Sequence, residues 1–293
     1  MDQVLVGQSL HYLRTLWDGF STLRVVDIGA NPIEGDAPYK SLLDNGFCHL
    51  TGFEPQAEAL AALNARKSGA ETYFSNALGD GNDATLQLFQ HSGFTSVFPV
   101  RADTAQLLGF HRATQSTGQL AIKTTRLDDI AGIGRIDYLK IDVQGSELNI
   151  ISNGKNALQE TVLVQTEVRF LPLYDGEPSF GDLDRELRQQ GFQFHDFDFL
   201  KRGSLRSASH GRLKPRCNRQ VIDGDAFYIR DLTKVGEMSN EQLFRLAFLA
   251  ESVVKSPNLV LFCLDNLASK GAVGRGASAG YLATLPENLL REV

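Results

Sequence analysis

The chain has 293 residues with a formal charge of −6, 42% hydrophobic and 22% charged side chains. That is enough for one large domain or two modest ones, and it excludes a disordered chain. Thirty-five acidic residues against 29 basic ones exclude a generally basic nucleic-acid coat, and three scattered cysteines without zinc-ligand spacing point to a reducing, cytoplasmic setting.

In chain order, Leu5, Leu10, Leu13, Leu16 and Trp17 recur at helical spacing and predict an amphipathic helix over the first twenty residues, ending near Gly19. The same stretch lacks the basic and apolar regions of a secretory leader. Short apolar runs then alternate with helix-sized stretches: RVVDIG, a helix from about Ala37, CHLTGFE, a helix from Ala57 to Ala65, and ETYFSNAL. Strand, helix, strand is the rhythm of a parallel sheet with crossover helices. ATLQLFQ and LAIKTTRL read as two further strands, and the Gly- and Thr-rich stretch between them forms a hairpin or a lid over a site. IDYLKIDV, a helix from about Ser146, TVLVQTEV, a helix from Phe180 to Gln190 stopped by Gly191, FQFHDFDF and DAFYIRD follow. The last two strands have no helix between them and are expected to be antiparallel neighbours.

The stretch 201–219 joining those strands carries Lys201, Arg202, Arg206, Arg212, Lys214, Arg216 and Arg219 and no acid. Arginine forks suit an anionic ligand, and a solvated loop balancing an acidic protein is the plainer alternative. Without aromatic stacking platforms the stretch does not read as a nucleic-acid site. After Asp231 the composition turns helical, with Asn240 as N-cap and Leu243, Leu246, Ala247, Ala250 and Val254 on one face. That face either closes over the core or makes a homodimer. A Gly/Ala/Ser-rich stretch from Gly271 to Gly280 precedes a last short helix, and the longest apolar runs, such as Leu259 to Leu264, are too short to span a bilayer.

The segment Val25-Val26-Asp27-Ile28-Gly29-Ala30-Asn31 carries the first chemical signal. A buried strand running into a glycine turns sharply and leaves free amides where a carboxylate or phosphate can sit. About twenty-five residues later the next strand ends in Phe53-Glu54-Pro55, and an acid at that tip can accept from both ribose hydroxyls. A dinucleotide site wants Gly-x-Gly-x-x-Gly, whereas only Gly29 and Gly35 fall here and Pro32 interrupts them. Asp-x-Gly followed by Glu is instead the pattern of S-adenosylmethionine binding; a tight turn with a surface Glu is the alternative.

Further along, NALGD, TTRLDDI, IDYLKIDVQGSELNIISNG, QTEVRFLPLYDG, GFQFHDF and DAFYIRD, together with VVDIGAN and GFEP, resemble in order the FkbM-like S-adenosylmethionine-dependent methyltransferases. The resemblance spans roughly residues 22 to 231, and LKIDVQGSE is its most specific block. It implies an α/β class I methyltransferase (Rossmann-like) fold, a seven-stranded, mostly parallel sheet with helices on both faces, and methylation of a hydroxyl on a sugar, glycan or other small molecule. The domains become an N-terminal helix over 1–21 packed on the core, a methyltransferase domain over 22–232 and a helical extension over 233–293. By position, Asp27, Gly29 and Asn31 would form the cofactor loop, Glu54 would bind ribose, and Ala77, Leu78 and Asp80 would border adenine. Two departures stand out: Pro32 to Asp36 lengthens the first loop, and Gln144 stands where the family generally has Glu.

Methyl transfer to an alcohol needs a group that takes the hydroxyl proton. Asp142, at the tip of the fourth parallel strand, is the leading candidate, with helix capping as its alternative role. Glu167, in an otherwise apolar strand, must pair with an arginine or with substrate. His210 in the basic loop is a further candidate base, while His195, alternating with Phe192, Phe194 and Phe197, reads as strand packing. Asp142 and Glu167 are too few ligands to predict a metal, although a divalent cation between them stays open. A non-catalytic module of the same fold, binding the cofactor or a partner, is the competing reading.

Overall fold

The computed structural model describes residues 3–19, 21–30 and 36–291, with side chains from residue 7 onward. In chain order it contains α1 (Gln3–Leu16), β1 (Leu23–Ile28), α2 (Lys40–Asp44), β2 (Cys48–Phe53), α3 (Ala57–Arg66), β3 (Glu71–Phe74), β4 (Ala77–Leu78) and β5 (Asp83–Phe89). Next come α4 (Ala102–Leu108), β6 (Ser116–Thr125), β7 (Tyr138–Ile141), α5 (Glu147–Ser152), β8 (Leu163–Arg169), α6 (Phe180–Gln189), β9 (Phe192–Gly203) and β10 (Gln220–Arg230). Three helices close the chain: α7 (Asn240–Leu249), α8 (Pro257–Ser269) and α9 (Ala277–Leu282).

The main sheet has seven strands in the order β3-β2-β1-β7-β8-β10-β9. All run parallel except β10, which lies antiparallel to both β8 and β9. The order reverses between β1 and β7, and in such sheets that switch point opens a crevice at the carboxyl ends of the strands.

Alternation along the central strands divides the interior in two. Leu23 and Val25 of β1, Tyr138 of β7, Leu163 of β8 and Phe227 and Ile229 of β10 face one core. Their neighbours Val26, Ile28, Leu139, Val164 and Tyr228 face the other. The second core is covered by Ile150 and Ile151 of α5 and Leu183 and Leu187 of α6. The first is covered by α1 and by Leu243, Phe244, Leu246, Ala247, Leu259, Val260 and Leu264 of α7 and α8, with Tyr281 of α9. The apolar face of α7 and α8 is therefore spent on the chain's own sheet, and Trp17 stacks on Phe244 with ring centroids 5.1 Å apart. Buried Glu251 takes bonds from Ser9 of α1 and from the Tyr281 hydroxyl at 2.5 Å, tying both ends of the chain to one carboxylate.

Three features differ from the sequence reading. ETYFSNAL is not one strand: the chain leaves the main sheet after Phe74, and β4 joins a second, three-stranded sheet with β6 and β5. β5 and β6 do pair antiparallel, yet their connection holds α4, whose seven residues end at Gly109 in the left-handed conformation. A seven-residue helix is too short to display its period. The N-cap of α7 is Ser239, which accepts from Gln242 N in a capping box, not Asn240. Among the described residues, no helix is long and apolar enough to cross a membrane.

Candidate active site

At the tip of β1 the backbone bends at Gly29 with φ +82°. The amides of Gly29 and Ala30 both donate to the Phe53 carbonyl, at 3.0 and 3.2 Å, while Asp142 N donates to the Ile28 carbonyl at 3.0 Å. The bend is thus clamped between the ends of β2 and β7. A β-carbon at residue 29 would lie 2.0 Å from the Asp142 carbonyl oxygen, so the position admits only glycine.

Asp27 is 3% exposed and sits behind this bend. Its Oδ2 accepts from the Tyr39 hydroxyl at 2.5 Å and its Oδ1 faces Lys140 Nζ at 3.4 Å, so both oxygens are held by protein groups. Burial opposes the charge on Lys140, and the carboxylates of Asp27, Asp142 and Asp225 outweigh it and keep the amine protonated. Glu54 follows the Phe53 carbonyl directly and is 2% exposed. Among the described residues its one donor is Gln56 N, at 2.7 Å to Oε1. Burial raises its pKa against that bond, and the charge of Asp27 adds to the rise. Asn31, together with Pro32 to Gly35, lies outside the described residues. Ala77 and Leu78 pair with Thr124 and Thr125 of β6. Asp80 is exposed, and its Oδ1 accepts from Asn82 N at 3.0 Å, which lowers its pKa.

A second group gathers at the ends of β7 and β8. Carboxylate oxygens of Asp142, Glu147 and Glu167 lie within 4.8 Å of one another. Glu147, in the first turn of α5, caps that turn: its carboxylate accepts from Val143 N at 2.9 Å and Gly145 N at 3.0 Å. Burial raises its pKa, and these amides oppose the rise. Glu167 pairs with Arg169, two residues along the same face of β8, at 3.0 Å. Arg169 also meets Asp223 at 2.8 Å and Glu177 at 3.4 Å. One guanidinium shared by three carboxylates cannot balance them all, and burial accordingly raises the pKa of Glu167, Glu177 and Asp223 despite it. The trio is spaced to share a divalent cation, but Glu147 and Glu167 already bond to amides and to Arg169.

Farther along the same face, Gln165 Nε2 donates to Asp198 at 3.1 Å and to Asp225 at 3.2 Å, and its Oε1 accepts from the Tyr138 hydroxyl at 2.5 Å. Burial, with Asp142 nearby, pushes Asp225 up to about 7 against the pull of Lys140.

His210 is engaged at both ring nitrogens. Nδ1 lies 2.6 Å from the Ser207 carbonyl and must donate there, and Nε2 lies 2.7 Å from Arg206, which can only donate to it. Neither nitrogen is left to accept a substrate proton, which removes the geometric case for His210 as a base. His195 bonds Ser256 at 3.3 Å, and burial lowers its pKa. Glu147, Arg169, Glu177 and Asp223 were not singled out from sequence. Glu147 stands inside the LKIDVQGSE block, but the other three converge only through the pairing of β8 with β10 and the turn after β8.

A reversed strand between β8 and β9, a glycine bend at the switch point and an acid closing β2 define a class I methyltransferase. The family model for the methyltransferase FkbM domain matches residues 27–194, and the chain belongs to that family. A relative named 2-O-methyltransferase NoeI, from Sinorhizobium fredii (strain NBRC 101917 / NGR234), is 40% identical over 63 residues, 20% of this chain and 26% of that protein. Similar solved structures include magnesium protoporphyrin IX methyltransferase (ChlM) from Synechocystis PCC 6803 with bound SAM, at 12% identity and TM-score 0.33 over 78% of this chain and 79% of that one. Precorrin-6y C5,15-methyltransferase from Geobacter metallireducens GS-15 matches at 11% identity and TM-score 0.34, over 77% of this chain and 88% of that one.

Proposed function

We propose that the chain transfers a methyl group from S-adenosylmethionine to a hydroxyl oxygen of a sugar, glycan or other small molecule. The observation that carries the reading is the join at Phe53: one carbonyl fixes the Gly29 bend, and the next residue is a buried acid with a single donor among the described residues. The bend suits the amino-acid end of the cofactor and Glu54 its ribose hydroxyls, with Ala77 and Leu78 flanking the adenine side. The cofactor supplies an electrophilic methyl on a sulfonium, so the protein's part is alignment and proton handling. With the cofactor bound, Asp142 would take the acceptor's proton as the acceptor oxygen is methylated. Glu167 is a poorer candidate, because its carboxylate is already committed to Arg169 at 3.0 Å. The short match to a protein named as a 2-O-methyltransferase supports oxygen as the acceptor atom. Among the seven basic residues of 201–219 only Lys201 forms an ion pair among the described residues, which supports an acceptor bearing an anionic group.

Calorimetry with S-adenosylmethionine and its demethylated product, followed by mass spectrometry on a panel of methyl glycosides, oligosaccharides and hydroxylated acids, tests the reading. Glu54→Ala is expected to weaken cofactor binding about 10- to 100-fold, the range for losing hydrogen bonds to a charged group. An unchanged dissociation constant would remove Glu54 from the cofactor site. Tight binding with no methyl gained by any acceptor would favour the non-catalytic module.

A further inference from the structure

Gln144 is one of two non-glycine residues with positive φ among the described residues, at +57°. Its carbonyl is held there by Ser96 Oγ at 2.6 Å. The turn sends the side chain between Arg169 and Asp142. Gln144 Oε1 accepts from Arg169 at 3.4 Å, with the Tyr174 hydroxyl 3.3 Å away, and Nε2 donates to Asp142 Oδ1 at 3.0 Å. A guanidinium only donates, so the amide oxygen must face Arg169 and the amide NH2 must face Asp142. Arg169 is itself anchored by Glu167, Asp223 and Glu177 and cannot swing away.

We infer that Gln144 is a positioning residue for methyl transfer: Arg169 fixes its amide, and the amide fixes the Asp142 carboxylate. One oxygen of Asp142 is then occupied and the other is presented to the acceptor, over a backbone carbonyl that packs on the Gly29 bend. Here an amide stands in place of the family's usual acid. It gives Asp142 a donor without adding another negative charge beside Glu147 and Glu167. This inference rests on the reading of Asp142 as proton acceptor.

Two variants separate the roles. Gln144→Met removes both contacts at similar volume. Gln144→Glu keeps an oxygen on Arg169 and turns the group facing Asp142 from donor to acceptor. The full chain loaded with S-adenosylmethionine is followed by carbon NMR of labelled aspartate carboxylates, the Asp142 line being assigned by its loss in Asp142→Asn, and by steady-state kinetics on an acceptor found by the panel. Both variants are expected to move the Asp142 line and lower kcat about 10- to 100-fold, with acceptor KM and cofactor affinity little changed. Gln144→Glu with the wild-type Asp142 line and full kcat would show that Gln144 serves only Arg169, and would overturn the inference while leaving the function standing. A wild-type chain that binds the cofactor and methylates nothing would overturn both.

Discussion

Gly29 is the residue on which the crevice turns. Gly29→Ala forces a side chain into a left-handed backbone and onto the Asp142 carbonyl. Backbone strain alone is worth about 1–3 kcal/mol, and the overlap adds to it. Reduced melting temperature and loss of S-adenosylmethionine binding are expected together, and a variant with wild-type melting and affinity would refute the role of the bend. At this scale much was legible. The glycine and the acid at Glu54 are set by local chemistry at strand ends, where spacing alone predicts placement. The partners of Glu167 were only half legible: sequence required a partner, and Arg169 is near in sequence, but Asp223 arrives from a strand more than fifty residues away. His210 shows the opposite failure, since a histidine in a basic loop looks available until the carbonyl and guanidinium that occupy it are seen.

Among elements, the parallel strands and their crossover helices follow from runs of apolar residues long enough to show their period. The second sheet does not, because β4 is two residues long and is defined by pairing with β6. Helix α7 is fixed to the sheet by more than apolar packing. Its Arg245, 2% exposed, lies 3.4 Å from the fully buried Asp137, which also accepts from Arg135 at 2.7 Å and from Arg24 N at 2.8 Å. Asp137→Ala removes the acceptor shared by Arg135, Arg245 and the Arg24 amide and leaves buried Arg245 only Glu241 among the described residues, and is expected to lower unfolding free energy by about 3–5 kcal/mol in urea denaturation. Arg245→Met combined with it should be less damaging than the sum of the two single changes. Strict additivity would show that the pair does not couple.

For the whole molecule, buried carboxyls set a pH dependence whose sign can be worked out. Asp225 holds its proton up to about 7 when folded, while an unfolded aspartate releases it near 3.9. Between those values the folded state binds more protons than the unfolded state, so stability falls as pH rises and levels off above 7. Asp225→Asn is expected to melt higher than the wild type at pH 8, with the gap closing toward pH 4. A gap that is constant across that range would refute the raised pKa.

The Glu251 clasp and the core it closes have a consequence for the order of folding. One face of the sheet is sealed only when α1 and α7 to α9 lie on it together, and these come from opposite ends of the chain. Until α7 to α9 have been made, the strands already emerged present an oily plane that α1 alone can shield. That face must therefore wait, exposed to chaperones or to neighbouring nascent chains, until α7 to α9 have been made and have docked.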